Sequence, residues 1–260
     1  MTAPRIITLD IETSPIISYH WGLWKQNIGL DQIIRDWSIL SFSAKALGDK
    51  RVRYHDVSKQ QDFYDDKAIM QLLWQELDAA DIVITQNGKH FDIRKINARF
   101  VTLGLPPVSP FKQIDTKVEA AKLAMFTSNK LEWLSKALTD VPKLSHAKYP
   151  GFKLWTACLS GDKAAWTEMK KYNVRDTAAT EALYLKLRPF IADHPNVNVY
   201  DDGTKVRCPK CGSDHVQRRG TMTTNTGKYT RYHCTDCGGW SRTRYTENTV
   251  QKRRPLPASA

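Results

Sequence analysis

The sequence lacks the apolar stretches that membrane proteins need. Its 260 residues contain no hydrophobic run approaching the length of a membrane-spanning helix. Residues 1–10 also lack the basic, apolar and small-residue regions of a secretory signal peptide. Hydrophobic residues still make up 41% of the chain, which is enough for a core. We therefore expect a cytoplasmic protein with no membrane partner, built as one α/β domain and a small appendage.

Cysteine is scarce, with five residues in the whole chain. Four of them form two C-x-x-C pairs, Cys208-Pro-Lys-Cys211 and Cys234-Thr-Asp-Cys237. In a reducing compartment such pairs indicate metal binding rather than disulfides. Two such turns separated by a β-like segment predict a zinc ribbon, in which four sulfurs hold one structural Zn²⁺. The fifth, Cys158, lies in a helical pattern, and we interpret it as a small buried hydrophobic residue.

Acidic residues are outnumbered, and the imbalance is local. The chain has 39 Lys/Arg against 27 Asp/Glu, a net charge of +12. Residues 203–260 hold 12 Lys/Arg and three Asp/Glu, a net charge of +9, which leaves +3 for the first 202 residues. Even after four thiolates bind Zn²⁺, a basic excess remains in this C-terminal part. It predicts attraction to a polyanion.

Hydrophobic patterning predicts a layered domain followed by an irregular segment. β-branched or alternating runs predict strands at residues 5–10, 39–44, 52–56 and 82–85, the first three forming a meander. Helical periodicity covers residues 62–80, 92–103 and much of 118–187. Strands first, then alternation, then helices favour an α/β or α+β fold. Periodicity stops around residues 189–203, where Pro, Asn and Asp predict a linker.

Acidic residues lie on or beside three of these elements. Asp10 and Glu12 close the first strand, and period-two geometry puts them on one face. Asp92 starts a helix after a strand, where it can be an N-cap or can face the first two carboxylates. Tyr172 and Asp176 lie one turn apart on a helix. Taken singly, each feature also fits an ordinary solvated or packing role.

In chain order, the motifs D-x-E, N-x-x-x-F-D and Y-x-x-x-D resemble the three exonuclease motifs of the DEDDy branch of the DnaQ-like family. That family includes the proofreading domains of DNA polymerases, and the resemblance covers roughly residues 5–187. It implies a ribonuclease H-like fold with a mixed five-stranded sheet. It also implies two Mg²⁺ or Mn²⁺ ions held by four carboxylates, those of Asp10, Glu12, Asp92 and Asp176.

The same resemblance assigns roles to neighbouring residues. Tyr172 is expected to orient the attacking water, which makes it catalytic together with the four carboxylates. Thr13 is expected to hold the terminal nucleotide, and Asn87 to shape the site. Trp21 and Trp24 follow the first motif; their rings can stack unpaired bases or can be buried.

The cysteine segment also resembles the zinc ribbons of transposases and related DNA-acting proteins. Its basic residues alternate with aromatic ones, which combines phosphate neutralisation with flat rings for stacking. We therefore predict a nucleic-acid-binding surface, with protein docking as the alternative. Its predicted contact residues are Arg218, Arg219, Lys228, Arg231, Trp240, Arg242 and Arg244.

These interpretations give a domain plan and a function. We predict an exonuclease domain at 1–190, a linker at 191–204, a zinc ribbon at 205–247 and a basic disordered tail at 248–260. The leading hypothesis is a stand-alone 3′→5′ exonuclease, with DNA favoured over RNA, from a phage or a mobile replication or repair module. A replication or repair protein is a possible partner. The alternatives are an exoribonuclease, a structure-specific nuclease and an inactive nucleic-acid-binding protein.

Overall fold

Two units make up the protein in the computed structural model, which describes residues 3–144 and 148–256. The larger unit is Arg5–Tyr184, and the smaller consists chiefly of the residues from Leu185 onward. The sequence instead predicts a boundary after residue 190. No helix in the described ranges combines the length and apolar character that a bilayer crossing requires.

The larger unit is built on a mixed five-stranded sheet with the strand order β5-β4-β1-β6-β7. The first three strands of that order pair antiparallel, and β1, β6 and β7 are parallel. A separate small hairpin, β2 with β3, follows β1. The strands are β1 (Ile6–Thr13), β2 (Ile17–Ser18), β3 (Ile33–Arg35), β4 (Ile39–Ala46), β5 (Arg53–Asp56), β6 (Ile82–Thr85) and β7 (Lys112–Asp115).

Within residues 3–144 and 148–256, six α-helices accompany this sheet, and the last is by far the longest. Burial follows the helical period, as in α1, where Ile69, Met70, Leu73 and Leu77 enter the core. The helices are α1 (Lys67–Asp78), α2 (Asp92–Thr102), α3 (Thr116–Leu123), α4 (Leu131–Leu138), α5 (Lys153–Leu159) and α6 (Lys163–Leu187). The predicted fold class, a mixed five-stranded sheet flanked by helices, is confirmed. Cys158 on α5 is fully buried, as expected.

The two faces of β1 differ in chemistry. Ile7, Leu9 and Ile11 point into the hydrophobic core, whereas Thr8 and the two carboxylates alternate with them on the other face. Strand β4 continues the polar face, because Ser43 pairs with Asp10 and Ser41 with Glu12. Both serines are fully buried. The sheet therefore presents a polar surface beside its acidic residues.

Helix α6 contacts that surface through a polar seam, formed by Ser41, Ser43, Asn173 and Thr177. The Ser43 hydroxyl lies 2.9 Å from the backbone oxygen of Asn173, to which it donates, and 2.5 Å from the Thr177 hydroxyl. The Ser41 hydroxyl donates to the Asn173 side-chain oxygen at 3.3 Å. Because buried polar groups are costly without partners, these bonds make an otherwise unfavourable interface stable. They also fix where α6 lies along the sheet.

Some elements were not predicted from the sequence. Strand β7 has no alternating hydrophobic pattern, and Pro106, Pro107 and Pro110 precede it. It forms a strand because it pairs with β6. The hairpin of β2 and β3 contains a single 3₁₀ turn, Leu30–Gln32, and is largely exposed. Pairing between distant segments supplies the order in both cases.

The smaller unit contains a three-stranded antiparallel sheet with the order β10-β9-β8. Its strands are β8 (Val216–Thr223), β9 (Lys228–Cys234) and β10 (Trp240–Arg242). The segment predicted as a linker forms a 3₁₀ turn, Val197–Tyr200, and the Val197 N–H donates to the Pro209 carbonyl at 2.9 Å. It thus belongs structurally to the ribbon.

The predicted disordered tail also contains regular structure. Helix α7, Val250–Arg253, is a single turn, and the Thr249 hydroxyl caps it by accepting from the Lys252 N–H at 3.2 Å. This cap explains the difference from the prediction. Residues 257–260 of that tail lie outside the described residues.

Candidate active site

Three carboxylates converge at the polar edge of the sheet. Asp10 and Glu12 come from β1, and Asp176 comes from α6. One carboxylate oxygen of each lies within 4.8 Å of the others, so the three can hold one ion. The register of β1 shifts between Glu12 and Thr13, and such bulges redirect side chains next to functional sites. The structure thus brings together residues that are 166 positions apart in the sequence.

Asp92 lies beside this cluster, at the first turn of α2. It is buried, and its carboxylate accepts a 3.3 Å hydrogen bond from the Ile11 N–H, between the two acidic residues of β1. The helix N-cap position is held by Phe91, so Asp92 does not act as the cap. Its carboxylate oxygens do not belong to the group formed by Asp10, Glu12 and Asp176. They are nevertheless close enough that their charge raises the pKa of Asp10.

A fixed turn delivers Asp92 to that position. Asn87 has a positive φ of 70°, and its N–H donates to the buried carboxylate of Asp115 at 2.8 Å. The Lys89 N–H donates to the same carboxylate at 3.0 Å. Residue 88 must be glycine, because a Cβ there would lie 2.3 Å from the Thr85 hydroxyl. Asn87 therefore shapes the site through its backbone.

The acidic cluster disfavours its own ionisation when no metal is bound. Burial raises the pKa of Asp10 well above its ordinary value, and the charges of Asp176 and Glu12 raise it further. Burial and Asp176 raise the pKa of Glu12 to about 8. Burial raises the pKa of Asp92 to about 7. Such shifts mark functional sites, since a bound cation restores the charged forms.

A lysine that sequence analysis missed lies against the cluster. The Lys143 Nζ is ion-paired with Asp176 and donates to the Tyr172 hydroxyl at 2.7 Å. Burial alone lowers the pKa of Lys143, but the Asp176 charge and the two hydrogen bonds raise it above its ordinary value. Lys143 stands in a loop, and a single loop lysine carries no periodic signal. Only the folded chain reveals it.

Two further residues hold the carboxylates in place, and neither was predicted. The Asn173 amide Nδ2 donates to Oδ2 of Asp10 at 2.6 Å. The Trp155 indole Nε1 on α5 donates to Oε2 of Glu12 at 3.2 Å, and its ring meets Tyr172 edge-on. Asn173 lies inside the Y-x-x-x-D motif, and its small polar side chain on a buried helix face was an available signal.

The other predicted contact residues of this unit are placed as follows. Thr13 ends β1 and is partly exposed, next to Glu12. Trp21 is fully exposed and Trp24 is 84% exposed, so neither ring belongs to the core. This exposure excludes the alternative in which both are buried.

The four paired cysteines come together in the smaller unit. Their Sγ atoms all lie within 4.8 Å of one another. The Sγ atoms of Cys208 and Cys237 are 3.6 Å apart, and those of Cys211 and Cys234 are 3.7 Å apart. Four sulfurs around a tetrahedral Zn²⁺ at about 2.3 Å are separated by about 3.8 Å. Although burial by itself raises the pKa of Cys234, backbone N–H groups lower it to about 7, whereas burial raises the pKa of Cys211 and Cys237. The donor set therefore fits zinc.

The predicted basic contacts of the ribbon fall into two groups. Arg231, Trp240, Arg242 and Arg244 line one cavity of the ribbon unit. Arg218, Arg219 and Lys228 do not line it, and Arg218 lies 3.6 Å from the carboxylate of Glu247. Four of the seven predicted contact residues therefore line this cavity.

Fold and cluster together define a ribonuclease H-like nuclease class, with acidic residues at the edge of a mixed sheet. The chain belongs to the RNase_H superfamily: the RNase_H_2 family profile matches residues 38–188, more than half of the sequence. No sequence among the curated proteins gives a significant match.

A solved structure supports the same fold. The chain is similar to the family B DNA polymerase from the hyperthermophilic archaeon Pyrobaculum calidifontis, with a TM-score of 0.51 and 16% identity. The similarity covers 73% of this chain and 25% of the polymerase. At this identity it is evidence for the fold alone. This chain thus matches only a quarter of the length of that protein.

Proposed function

We propose that the protein is a metal-dependent 3′→5′ exonuclease of the DEDDy type that hydrolyses phosphodiester bonds of DNA. One observation carries the proposal: the carboxylates of Asp10, Glu12 and Asp176 lie within 4.8 Å of one another, with Tyr172 one helical turn from Asp176. Membership of the RNase_H superfamily supports a nuclease. The DNA substrate and the 3′→5′ polarity rest on the resemblance of the three motifs.

The acidic cluster fits a divalent cation. Carboxylate oxygens are the ligands that Mg²⁺ and Mn²⁺ prefer, and burial together with mutual repulsion raises the pKa values of Asp10 and Glu12 even though Lys143 lowers them. Asp10, Glu12 and Asp176 would hold one ion, and Asp10 with Asp92 a second. Divalent ions in such a site stabilise charge developing on the phosphate and lower the pKa of water.

The protein's own side chains orient the reaction. Burial raises the pKa of Tyr172 above its ordinary value, so the phenol stays protonated at neutral pH and cannot act as the base. Its oxygen accepts a hydrogen bond from Lys143, which is also ion-paired with Asp176, so the lysine holds the phenol beside the acidic cluster. Asn173 holds Asp10, and Trp155 holds Glu12. The complete set of polar groups argues against an inactive nuclease fold.

The ribbon is proposed to supply nucleic-acid affinity. Cys208, Cys211, Cys234 and Cys237 would hold one Zn²⁺, which stabilises a unit too small to fold on its apolar contacts alone. The basic surface around β9 and β10 would bind the nucleic acid. A cytoplasmic location and a replication or repair partner remain part of this proposal.

Incubation of end-labelled oligonucleotides with the zinc-loaded full chain and Mg²⁺ tests the proposal. A 5′-labelled DNA strand should give a ladder that shortens from the 3′ end, and the matching RNA should be cut more slowly. Asp176→Asn should abolish cleavage, whereas Asp49→Asn, an exposed turn carboxylate, should not. Cleavage of circular DNA would indicate an endonuclease, and full activity of the Asp176→Asn variant would refute the site.

A further inference from the structure

One face of the ribbon sheet collects arginine and aromatic side chains. On β9, Tyr229, Arg231 and His233 share a face because side chains alternate along a strand. On β10, Trp240 pairs with His233, and Arg242 pairs with Arg231. These residues therefore form a two-strand patch of alternating charge and ring.

A guanidinium group lies over each of two rings in this patch, although Trp240 remains 48% exposed. The Arg231 Cζ lies 4.8 Å from the Trp240 ring centroid, and the Arg242 Cζ lies 3.9 Å from that of Tyr229. The His233 ring lies 4.8 Å from Trp240. The sequence predicts these aromatic residues as stacking faces for bases. In the structure they support arginines instead.

The arginines on this face have no acidic partners. In the described part of the chain, no carboxylate lies within ion-pair distance of Arg231, Arg242 or Arg244. Within residues 203–260 the acidic side chains have other partners, Asp214 and Asp236 with His215 and Glu247 with Thr230 and Arg218. In the described residues these three arginines therefore have no ion-pair partner.

The same residues line a depression large enough for a ligand. A cavity of about 610 Å³ is bordered by Lys210, Met222, Arg231, Trp240, Arg242 and Arg244, and the three arginines are exposed. Contacts with the rings and hydrogen bonds to the backbone oxygens of Arg219 and Thr243 restrain Arg231 and Arg242, so these arginines lose less entropy when their remaining N–H groups bind a phosphate. The geometry suits phosphate groups.

We infer that this arginine face, made of Arg231, Arg242 and Arg244 with Tyr229 and Trp240, binds the sugar-phosphate backbone of nucleic acid and does not stack its bases. The inference deepens the proposed function, since it rests on a nucleic-acid substrate. It gives the ribbon a binding mode that is indifferent to base sequence and to pairing. Duplex and single strands should bind through the same arginines, with affinity that falls as salt rises.

Binding measurements on a cleavage-deficient full chain test this inference. Asp10→Ala is used as the background, loaded with zinc, and fluorescence anisotropy follows labelled duplex and single-stranded DNA over a salt series. Arg242→Gln should weaken binding of both by about three- to tenfold at low salt and reduce the slope of log K against log salt by about one. Lys205→Gln, at an exposed lysine of the smaller unit that does not line the cavity, is the matched control and should change little.

The role of the rings is tested separately. Trp240→Leu should weaken duplex and single-strand binding by the same factor, because it removes the support of Arg231. Loss confined to single strands would mean base stacking and would overturn the inference, as would unchanged binding in Arg242→Gln. Equal zinc content and thermal unfolding in all variants show that the ribbon stays folded. Cleavage by the wild-type protein in Mg²⁺ is measured in a separate experiment. Failure of the nuclease proposal can then be told apart from failure of the binding inference.

Discussion

The side-chain amide of Asn173 donates to the carboxylate of Asp10 at 2.6 Å, which joins α6 to β1 at the acidic cluster. The Ser41 hydroxyl donates to the other end of the same amide, so the NH₂ group must face Asp10. Burial and three neighbouring carboxylates raise the pKa of Asp10, and the charge of Lys143 lowers it. Asn173 is therefore a positioning residue, and it stabilises the charged form that binds metal.

Asn173→Ala should lower kcat/KM by about 10- to 100-fold, because residues that orient metal ligands contribute at this level. The apparent affinity for Mg²⁺ should fall in parallel, and excess Mg²⁺ should recover part of the rate. A Mg²⁺ titration of the initial rate measures both. Ser41→Ala, which only frees the amide to rotate, should show a smaller loss. An unchanged Mg²⁺ dependence in Asn173→Ala would mean that the amide only packs.

Tyr172→Phe keeps the ring against Trp155 and removes the hydroxyl. We expect the single-turnover cleavage rate to fall by about tenfold or more, with little change in substrate Kd, since the hydroxyl orients a reacting group. Rapid-quench kinetics on a 5′-labelled strand provide the rate. Equal single-turnover rates for the variant and wild type would assign Tyr172 to packing alone.

Lys143→Gln removes the ammonium group that occupies Asp176 and Tyr172. The apparent Mg²⁺ affinity should rise, because a cation competing for Asp176 is gone. The rate at saturating Mg²⁺ should fall, because Tyr172 loses its positively charged donor. The two opposite changes are separable in one Mg²⁺ titration. Lys171→Gln, an exposed lysine on α6, is the control.

Glu12 makes the stability of the metal-free site depend on pH. Its folded-state pKa of about 8 exceeds the ordinary 4.5, so between these values the folded protein binds more protons than the unfolded chain. Stability contributed by this group is thus present at low pH and is lost as pH rises through the folded pKa. Without added divalent ions, Tm should fall from about pH 5 to about pH 8, and less so in Glu12→Gln. Scanning calorimetry at the two pH values measures this change in Tm, and circular dichroism checks that the variant is folded.

Cys237→Ser should release the zinc and unfold the ribbon, because one lost thiolate weakens a tetrahedral site and zinc binding is coupled to folding. Cys158→Ala, at the buried cysteine of α5, should keep one zinc per chain. Zinc content per chain and the cleavage rates of short and long substrates are measured for both variants and for the wild type. We expect Cys237→Ser to cleave short strands and to bind long ones weakly. Full zinc content in Cys237→Ser would show that this cysteine is not a ligand.

The sequence predicted the elements with strong periodicity and the residues with a motif. Strand β6 and helix α6 fall almost where they were expected, because a short β-branched run and a long helical pattern are local signals. The four cysteines meet as their spacing predicts. Each of these depends on chemistry within one short segment.

Features that depend on distant partners escaped prediction. Strand β7 exists through pairing with β6, and Lys143 matters only because its loop reaches Asp176. The cover of guanidinium groups over Trp240 and Tyr229 is also a cross-strand effect. The sequence showed that charge and rings alternate, but only the register decides that the rings support the arginines and are not left open.

The polar seam has a consequence for how the site keeps its shape. Hydrophobic contacts are non-directional, so a helix packed on a purely apolar surface can shift along its axis at a small cost in free energy. A hydrogen bond weakens steeply when its angle or length changes, and Ser41, Ser43, Asn173 and Thr177 form several at once. Moving α6 by even one residue, about 1.5 Å, would break them together. The polar seam therefore fixes the distance between Asp176 and β1, while the hydrophobic core supplies most of the free energy of folding.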